Sequence, residues 1–549
     1  MFALKSEHHV TIAASLAGAT AIALIVAAPL SSMANGPVKL AGTPMAVTSG
    51  EQPSVQGPSA NEGLSKDVPT VSNGSSVDSA TASENAAVPD ALASVDAADR
   101  AVAEKIGDFL ATKSDRFFAN KKEREAAAAF YQDRHSAPLW LDKGVENERA
   151  RSVIGRLKRA DADGLEPKDY YVPNFDGLAP EALAEAELRL TETVLTFARH
   201  LQAGRFSYTR VSHNIELPQV LPEPMKILNS ILDAPEAGQA LDAFGPQQEP
   251  YRKLRAKLAE LRSKPDAPKI GISKEIETVI ANMERWRWYP RDLGNDYVVV
   301  NQPDFMLAVV HGGANAWTTR VVIGKPSMPT PLLSETMKYI TVNPTWHVPQ
   351  SIVRNEYLPA LAQDPTVLDR MGLRVSYSGG QVQISQPPGD GNALGHLRFN
   401  FPNRFDVYHH DTRDKQLFDH EVRAYSHGCM RVQDPAKYAE VLLNIARPRE
   451  RWTAEKIRSM YGSIEQDIQL QPAQIWVHLT YQTAFVDSAG KLQIRRDIYN
   501  LDSRTLTAIR SERGMVEAKH ERKRDQEMGS RSGANRSASA PRQLALTSN

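Results

Sequence analysis

The sequence predicts an α+β protein of several domains: a helical scaffold domain, then a mostly-β domain interrupted by an insertion suited to capping a cleft. Three observations carry that prediction. Apolar residues recur at helical spacing between about 96 and 265, then give way from about 270 to short β-type runs punctuated by turn residues. All seven Trp lie between Trp140 and Trp476, and after Phe2 no aromatic residue occurs before Phe109. The 549 residues, 41% hydrophobic and 24% charged, leave room for more than one domain at roughly 100–200 residues each.

Taken in order, residues 1–34 read as a signal peptide or a membrane anchor. Lys5 precedes Val10–Leu30, which carries no charge, and Ser32 and Ala34 supply small residues for cleavage. The run also approaches the roughly 20 residues that span a bilayer. Either reading places the remainder outside the cytoplasm. Residues 35–95 are rich in Ser, Gly, Pro, Ala and Asn and lack aromatics. Such a segment buries too little surface to offset chain entropy and is expected to be a disordered linker.

Residues 96–265 form the helical domain. Leu188, Leu190, Val194, Leu195, Phe197, Ala198 and Leu201 make one of its apolar stripes, and 161–164 and 218–224 are its breaks. It holds no evident catalytic cluster and reads as a scaffold. Residues 270–486 form the β-rich domain: a helix over 273–285, then runs such as Tyr297–Val300, Thr318–Ile323, Phe405–His409 and Ile475–Thr480. Within it, 345–395 combine helix-type stretches with Pro387-Pro388-Gly389-Asp390-Gly391-Asn392 and read as a lid. Residues 500–549 turn polar, with basic residues in excess after Lys519, and read as a disordered basic tail.

With 65 basic and 65 acidic residues the net charge is zero, which argues against a whole-chain nucleic-acid binder. One cysteine excludes an internal disulfide framework and any Cys-rich metal cluster. That cysteine lies in the densest chemical stretch: Tyr408-His409-His410-Asp411-Thr412, then Ser426-His427-Gly428-Cys429-Met430-Arg431. A neighbouring imidazole or cation lowers a thiol's pKa, which suits Cys429 to nucleophilic attack. Gly428 permits a tight turn and close approach of backbone N–H groups to an oxyanion, and Arg431 has the fork that grips a carboxylate. If 405–410 is a strand, Phe405, Val407 and His409 share the core face. Asp406, Tyr408 and His410 then face a cleft, so His410 is the expected general base. Asp434 and Pro435 are the N-cap and first residue of a helix expected to run to about Ala446.

These residues resemble the catalytic motif of the L,D-transpeptidases, the YkuD-type domain, in the arrangement of the large periplasmic YcbB-like branch. Asn343-Pro-Thr-Trp-His-Val-Pro-Gln-Ser-Ile352, Phe399-Asn-Phe-Pro-Asn403 and, in the helical region, Ala160-Asp-Ala-Asp-Gly-Leu-Glu-Pro167 extend the likeness over about 100–485. The resemblance implies that Cys429 is acylated, that His410 is its base, and that His427 orders the turn and the thiolate. The N–H groups of Gly428 and Cys429 would face the oxyanion. Arg431, Tyr408, Ser426 and Trp346 would contact a peptidoglycan tetrapeptide stem. D-Ala would leave and an amine would resolve the acyl-enzyme, with no cofactor and no metal. His409 stands where that branch usually has an apolar residue, and 264–272 is too short for a peptidoglycan-binding module.

Rival readings are an L,D-carboxypeptidase using the same acyl-enzyme, a zinc-dependent wall peptidase built from His409, His410, Asp411, His420, His427 and Cys429, and a non-catalytic wall-binding protein. A papain-like order is disfavoured, since the favoured His precedes the Cys.

Overall fold

The computed structural model describes residues 96–266 and 269–512. The expected signal or anchor, the linker and the tail beyond 512 lie outside the described residues.

The helical domain is built on Pro180–Ala203, a helix so thoroughly enclosed that most of its residues are buried. Around it pack Ala97–Thr112, Lys121–Asp133, Glu148–Leu157 and Pro224–Asp233, sharing one core from Val102 to Phe244. Asp96, Asn120 and Asn147 each accept a backbone N–H at a helix start, which explains where three of these helices begin. Glu187, inside this core, accepts the N–H groups of Leu139 (2.5 Å) and Trp140 (3.1 Å) and the Tyr131 hydroxyl (2.7 Å). Burial pushes its carboxyl up to about 7.

Two boundaries differ from expectation. The helix Glu249–Ser263, read as the last of the scaffold, buries Tyr251, Leu254, Leu258 and Leu261 in the core of the β-rich domain. Its apolar stripe was legible, but a stripe does not say which neighbour it meets. Residues 501–512, read as the start of a disordered tail, are helical, and Leu501, Ala508 and Ile509 are buried in the same core. Those apolar positions are too sparse to outweigh the polar composition in sequence.

The β-rich domain is a twelve-stranded curled sheet. Its order runs from Gln466–Gln469 through Tyr339–Val342, Leu397–Asn400, His409–His410, Met430–Val432, Ala314–Gly324, Met306–His311, Asp296–Asn301, Ile475–Thr480 and Leu332–Met337 to Ile215–Glu216, with Ala424–Ser426 paired to Ala314–Gly324 off this path. The strands Leu332–Met337 and Tyr339–Val342, parted only by Lys338, lie near opposite ends of that order, so the sheet must bend back on itself. The helix Pro435–Ala446, N-capped by Asp434 as expected, packs Tyr438, Leu442 and Leu443 into the core. The insertion has a separate sheet, Arg374–Ser378, Gln381–Gln386 and Trp346–His347, and a small core around Val348, Val353, Leu368 and Ile384.

The helix Ile270–Trp286 joins the halves. Arg287 donates to the Glu284 carboxylate (2.9 Å), the Tyr251 hydroxyl (3.0 Å) and the Asp163 carbonyl (2.5 Å). Arg285 is fully buried and donates to the Tyr481 carbonyl (2.9 Å), Asn282 (2.8 Å) and Asp502 (2.6 Å). Removing one partner of a buried ion pair leaves the other charge uncompensated, at a cost of about 3–5 kcal/mol. Asp502→Ala should therefore lower the urea midpoint by a corresponding amount without changing the slope of unfolding. An unchanged midpoint would show that the terminal helix is not part of the cooperative unit.

Candidate functional site

A cleft of about 720 Å³ opens between the lid and the sheet, lined by Trp346, Tyr408, His410, Ser426, His427, Cys429 and Arg431. Seven of the eight side chains and backbone groups singled out from sequence thus converge on one cavity. Gly428 lies behind it.

The regular strand is shorter than expected, covering only His409–His410. Residues 403–407 form a loop tied by Asn403, whose Oδ1 accepts the Phe405 N–H (3.0 Å) and whose Nδ2 donates to the Val407 carbonyl (2.8 Å). Asp406 there has φ of 52°. The expected faces survive this irregularity. Val407 is buried in the core, and His409 is fully buried with Nδ1 3.1 Å from the Tyr438 hydroxyl. His410 faces the cleft. It pairs in parallel register with Arg431, as His409 does with Met430.

The turn that carries the thiol is held from both sides. Ser426 Oγ accepts the Gly428 N–H (3.2 Å) and donates to the Cys429 carbonyl (2.5 Å). The Thr330 hydroxyl donates to the Gly428 carbonyl (2.7 Å), and Gly428 has φ of 118°, strained for any L residue. These contacts revise two expectations. The Gly428 N–H is turned toward Ser426 rather than toward a substrate oxyanion, and the Ser426 hydroxyl is engaged in bracing the turn. Thr330 was not foreseen, because no local signal ties it to a motif almost a hundred positions later.

Cys429 is half-buried, yet desolvation pushes its thiol up to about 11. Tyr408, and after it the Arg398 cation, oppose that rise, and the thiol lies 3.8 Å from the Asp406 carbonyl oxygen. Burial raises the Tyr408 hydroxyl well above its ordinary value. Arg398, whose guanidinium lies 5.5 Å from the Tyr408 ring centroid, was missed in sequence. It is placed by the register that sets it opposite His410.

Burial, with the Arg431 cation second, pushes His410 down to about 3. Its Nδ1 lies 2.5 Å from the Asp411 carbonyl oxygen, so a neutral ring carries its proton on Nδ1 and leaves Nε2 bare to accept one. The Asp411 carboxylate accepts the N–H groups of His396 (3.0 Å) and Thr412 (2.7 Å) and the Lys415 ammonium (2.7 Å). Burial thus favours an un-ionised Cys429 thiol and a neutral His410 imidazole at neutral pH, against the expected thiolate, and the Arg431 cation acts on His410.

Arg431 donates from Nη1 to Asp414 (2.7 Å), while its buried Nε finds no partner among the described residues. His427 lines the same cleft as the thiol, with Nε2 2.7 Å from Glu356 Oε1 and 3.2 Å from Lys325 Nζ, and so bridges the turn to the insertion. Among the described residues no group of three or more His, Cys, Asp or Glu side chains is placed to hold a metal ion: His409 sits on Tyr438, His420 packs on Tyr425 and His427 meets Glu356.

Comparison with known proteins adds the following. A scaffold domain model matches residues 125–258, and an L,D-transpeptidase catalytic domain model, YkuD, matches residues 295–452. A Haemophilus influenzae protein named "Putative L,D-transpeptidase" is 26% identical over 402 residues, covering 68% of this chain and 78% of that protein. A solved structure described as the Ldtfm-avibactam carbamoyl enzyme is 13% identical with a TM-score of 0.19; the match covers 35% of this chain and about half, 51%, of that one.

Two measurements follow from the electrostatics. Alkylation of Cys429 by iodoacetamide should accelerate with pH through 8–10 toward the thiol's raised value of about 11; a plateau already reached at pH 6 would mean a resting thiolate. His409, which burial also pushes down to about 3, binds a proton only in the unfolded state between that value and about 6.5. It therefore withdraws stability as pH falls through that window. His409→Leu should flatten the acid limb of the stability profile, and an unchanged limb would show that His409 does not contribute to it.

Proposed function

We propose that this chain, whose residues 295–452 match the L,D-transpeptidase catalytic domain model, is a peptidoglycan L,D-transpeptidase of the YcbB-like type working through a Cys429 acyl-enzyme. The observation that carries this reading is the parallel pairing of His409–His410 with Met430–Arg431, which sets a base and a nucleophile on one cleft wall. The scaffold domain and the separately cored lid support the branch assignment.

In the first half-reaction His410 Nε2 takes the thiol proton as Sγ attacks the carbonyl between the diamino acid and the terminal D-Ala of a tetrapeptide stem. The tetrahedral oxyanion forms at the Cys429 N–H, and Tyr408 steadies the sulfur as charge develops. His410 then returns the proton to the departing D-Ala nitrogen. The lid, through Trp346, covers the site and limits entry of water. In the second half-reaction an amine replaces water as the attacking group, giving a 3-3 cross-link or an attached wall component. Arg431 carries the positive charge that a stem carboxylate would meet. The work would be done outside the cytoplasm, with residues 1–34 as the export signal or anchor. Among the described residues no helix is long and apolar enough to cross a membrane.

Cys429→Ala should abolish D-Ala release from tetrapeptide stems, with the thermal midpoint retained. His410→Ala should cut release by about 10²-fold or more, whereas His409→Leu should stay within a few-fold of the parent. Release that survives in Cys429→Ala would overturn the nucleophile, and a larger loss in His409→Leu would overturn the choice of base. Intact-mass analysis with a carbapenem should show one adduct, absent from Cys429→Ala.

A further inference from the structure

A transpeptidase has to accept an amine that arrives from solution as an ammonium ion, and two features of the cleft bear on that problem. The first is charge. Of the two carboxylates that line the cavity, Asp414 is neutralised by the Arg431 guanidinium at 2.7 Å. The other, Glu356, has no arginine or lysine on it among the described ion pairs. Its partner is the His427 imidazole, 2.7 Å away, and its side chain is 41% exposed. The second is the ambiguity of His427 Nε2. Glu356 Oε1 needs that nitrogen to carry a proton, while Lys325 Nζ, 3.2 Å from the same atom, needs it bare. One nitrogen cannot serve both at once, so which of the two contacts is a hydrogen bond depends on which ring nitrogen carries the proton. Glu356 sits on a single π-helical turn of the lid, Val353–Tyr357, a local distortion often found at functional sites.

We propose that Glu356 and His427 form the acceptor subsite for a side-chain primary ammonium of a second stem peptide. This rests on the transpeptidase reading above. Glu356 holds the cation, and His427 Nε2, in its bare state, takes one proton and passes it to solvent, leaving a neutral amine. That amine attacks the thioester carbonyl, forming the C–N bond. The C–S bond then breaks. The second proton leaves the nitrogen through His410, which delivers it to the departing Cys429 sulfur, so the thiol is restored and the charges balance. Glu356 thereby decides whether the acyl group passes to an amine or to water.

The test uses the purified protein with disaccharide-tetrapeptide stems as donor and acceptor, and with hydroxylamine as a competing nucleophile that is uncharged at neutral pH. Stem dimer, hydroxamate and hydrolysed tripeptide are quantified by mass spectrometry for the parent and for Glu356→Gln, an isostere that keeps a hydrogen-bonding partner for His427. The expected result is a fall of at least tenfold in the ratio of dimer to hydroxamate, partly restored in Glu356→Asp. An unchanged ratio, or dimer and hydroxamate falling in proportion, would overturn the subsite and leave Glu356 as a strut of the lid. A parent protein that releases no D-Ala from these stems would overturn the transpeptidase reading itself, and the subsite with it.

Discussion

Everything in the cleft depends on the register of a strand two residues long. His409 opposes Met430 and His410 opposes Arg431, while on the other side Phe399 opposes His409 and Arg398 opposes His410. A slip of one position would exchange the faces, turning His410 into the core and His409 toward the cleft. So short a strand cannot hold its register by its own ladder. Anchors on either side do it: Val407 and His409 seated in the core, the Asn403 side chain closing the preceding loop, and the Tyr408 carbonyl accepting the Met430 N–H at 3.1 Å. The same anchoring carries Arg398 to the Tyr408 ring and Arg431 to the neighbourhood of His410, so one constraint positions the surroundings of Cys429 and of His410 together.

The cleft trades resting reactivity for enclosure. Burial holds both the thiol and the imidazole in their neutral forms. A group kept neutral in an enclosed site costs little desolvation, and the dipoles around it act strongly once charge develops during attack. Trp346 of the insertion lines the same cleft as Tyr408 and Cys429, so the insertion and the sheet share in enclosing the thiol.

Much of this was legible in the sequence. The change from helical to alternating periodicity marked the two halves, the Asp434-Pro435 start of the following helix was readable from capping chemistry, and alternation alone chose His410 over His409 although most of the expected strand is a loop. What sequence could not supply came from long-range packing. Nothing near Thr330 announces that its hydroxyl braces Gly428, and nothing near Glu356 announces His427, because both contacts depend on how distant segments fold together. The helix Glu249–Ser263 shows the same limit, since its apolar stripe was plain while its partner was not. The helix 501–512 failed for another reason. Its few apolar positions are decisive only once Arg285 and its surroundings supply a place for them, and composition averages them away.

The strand Ile475–Thr480 lies inside the sheet, hydrogen bonded to Asp296–Asn301 on one side and Leu332–Met337 on the other, although it is the last long strand in the chain. A polypeptide still being synthesised already carries every residue of the cleft, yet two of its earlier strands wait with open edges for a segment not yet made. This part of the sheet is closed only by a segment made after every residue of the cleft, which makes assembly of this half of the molecule a closing event rather than a gradual one.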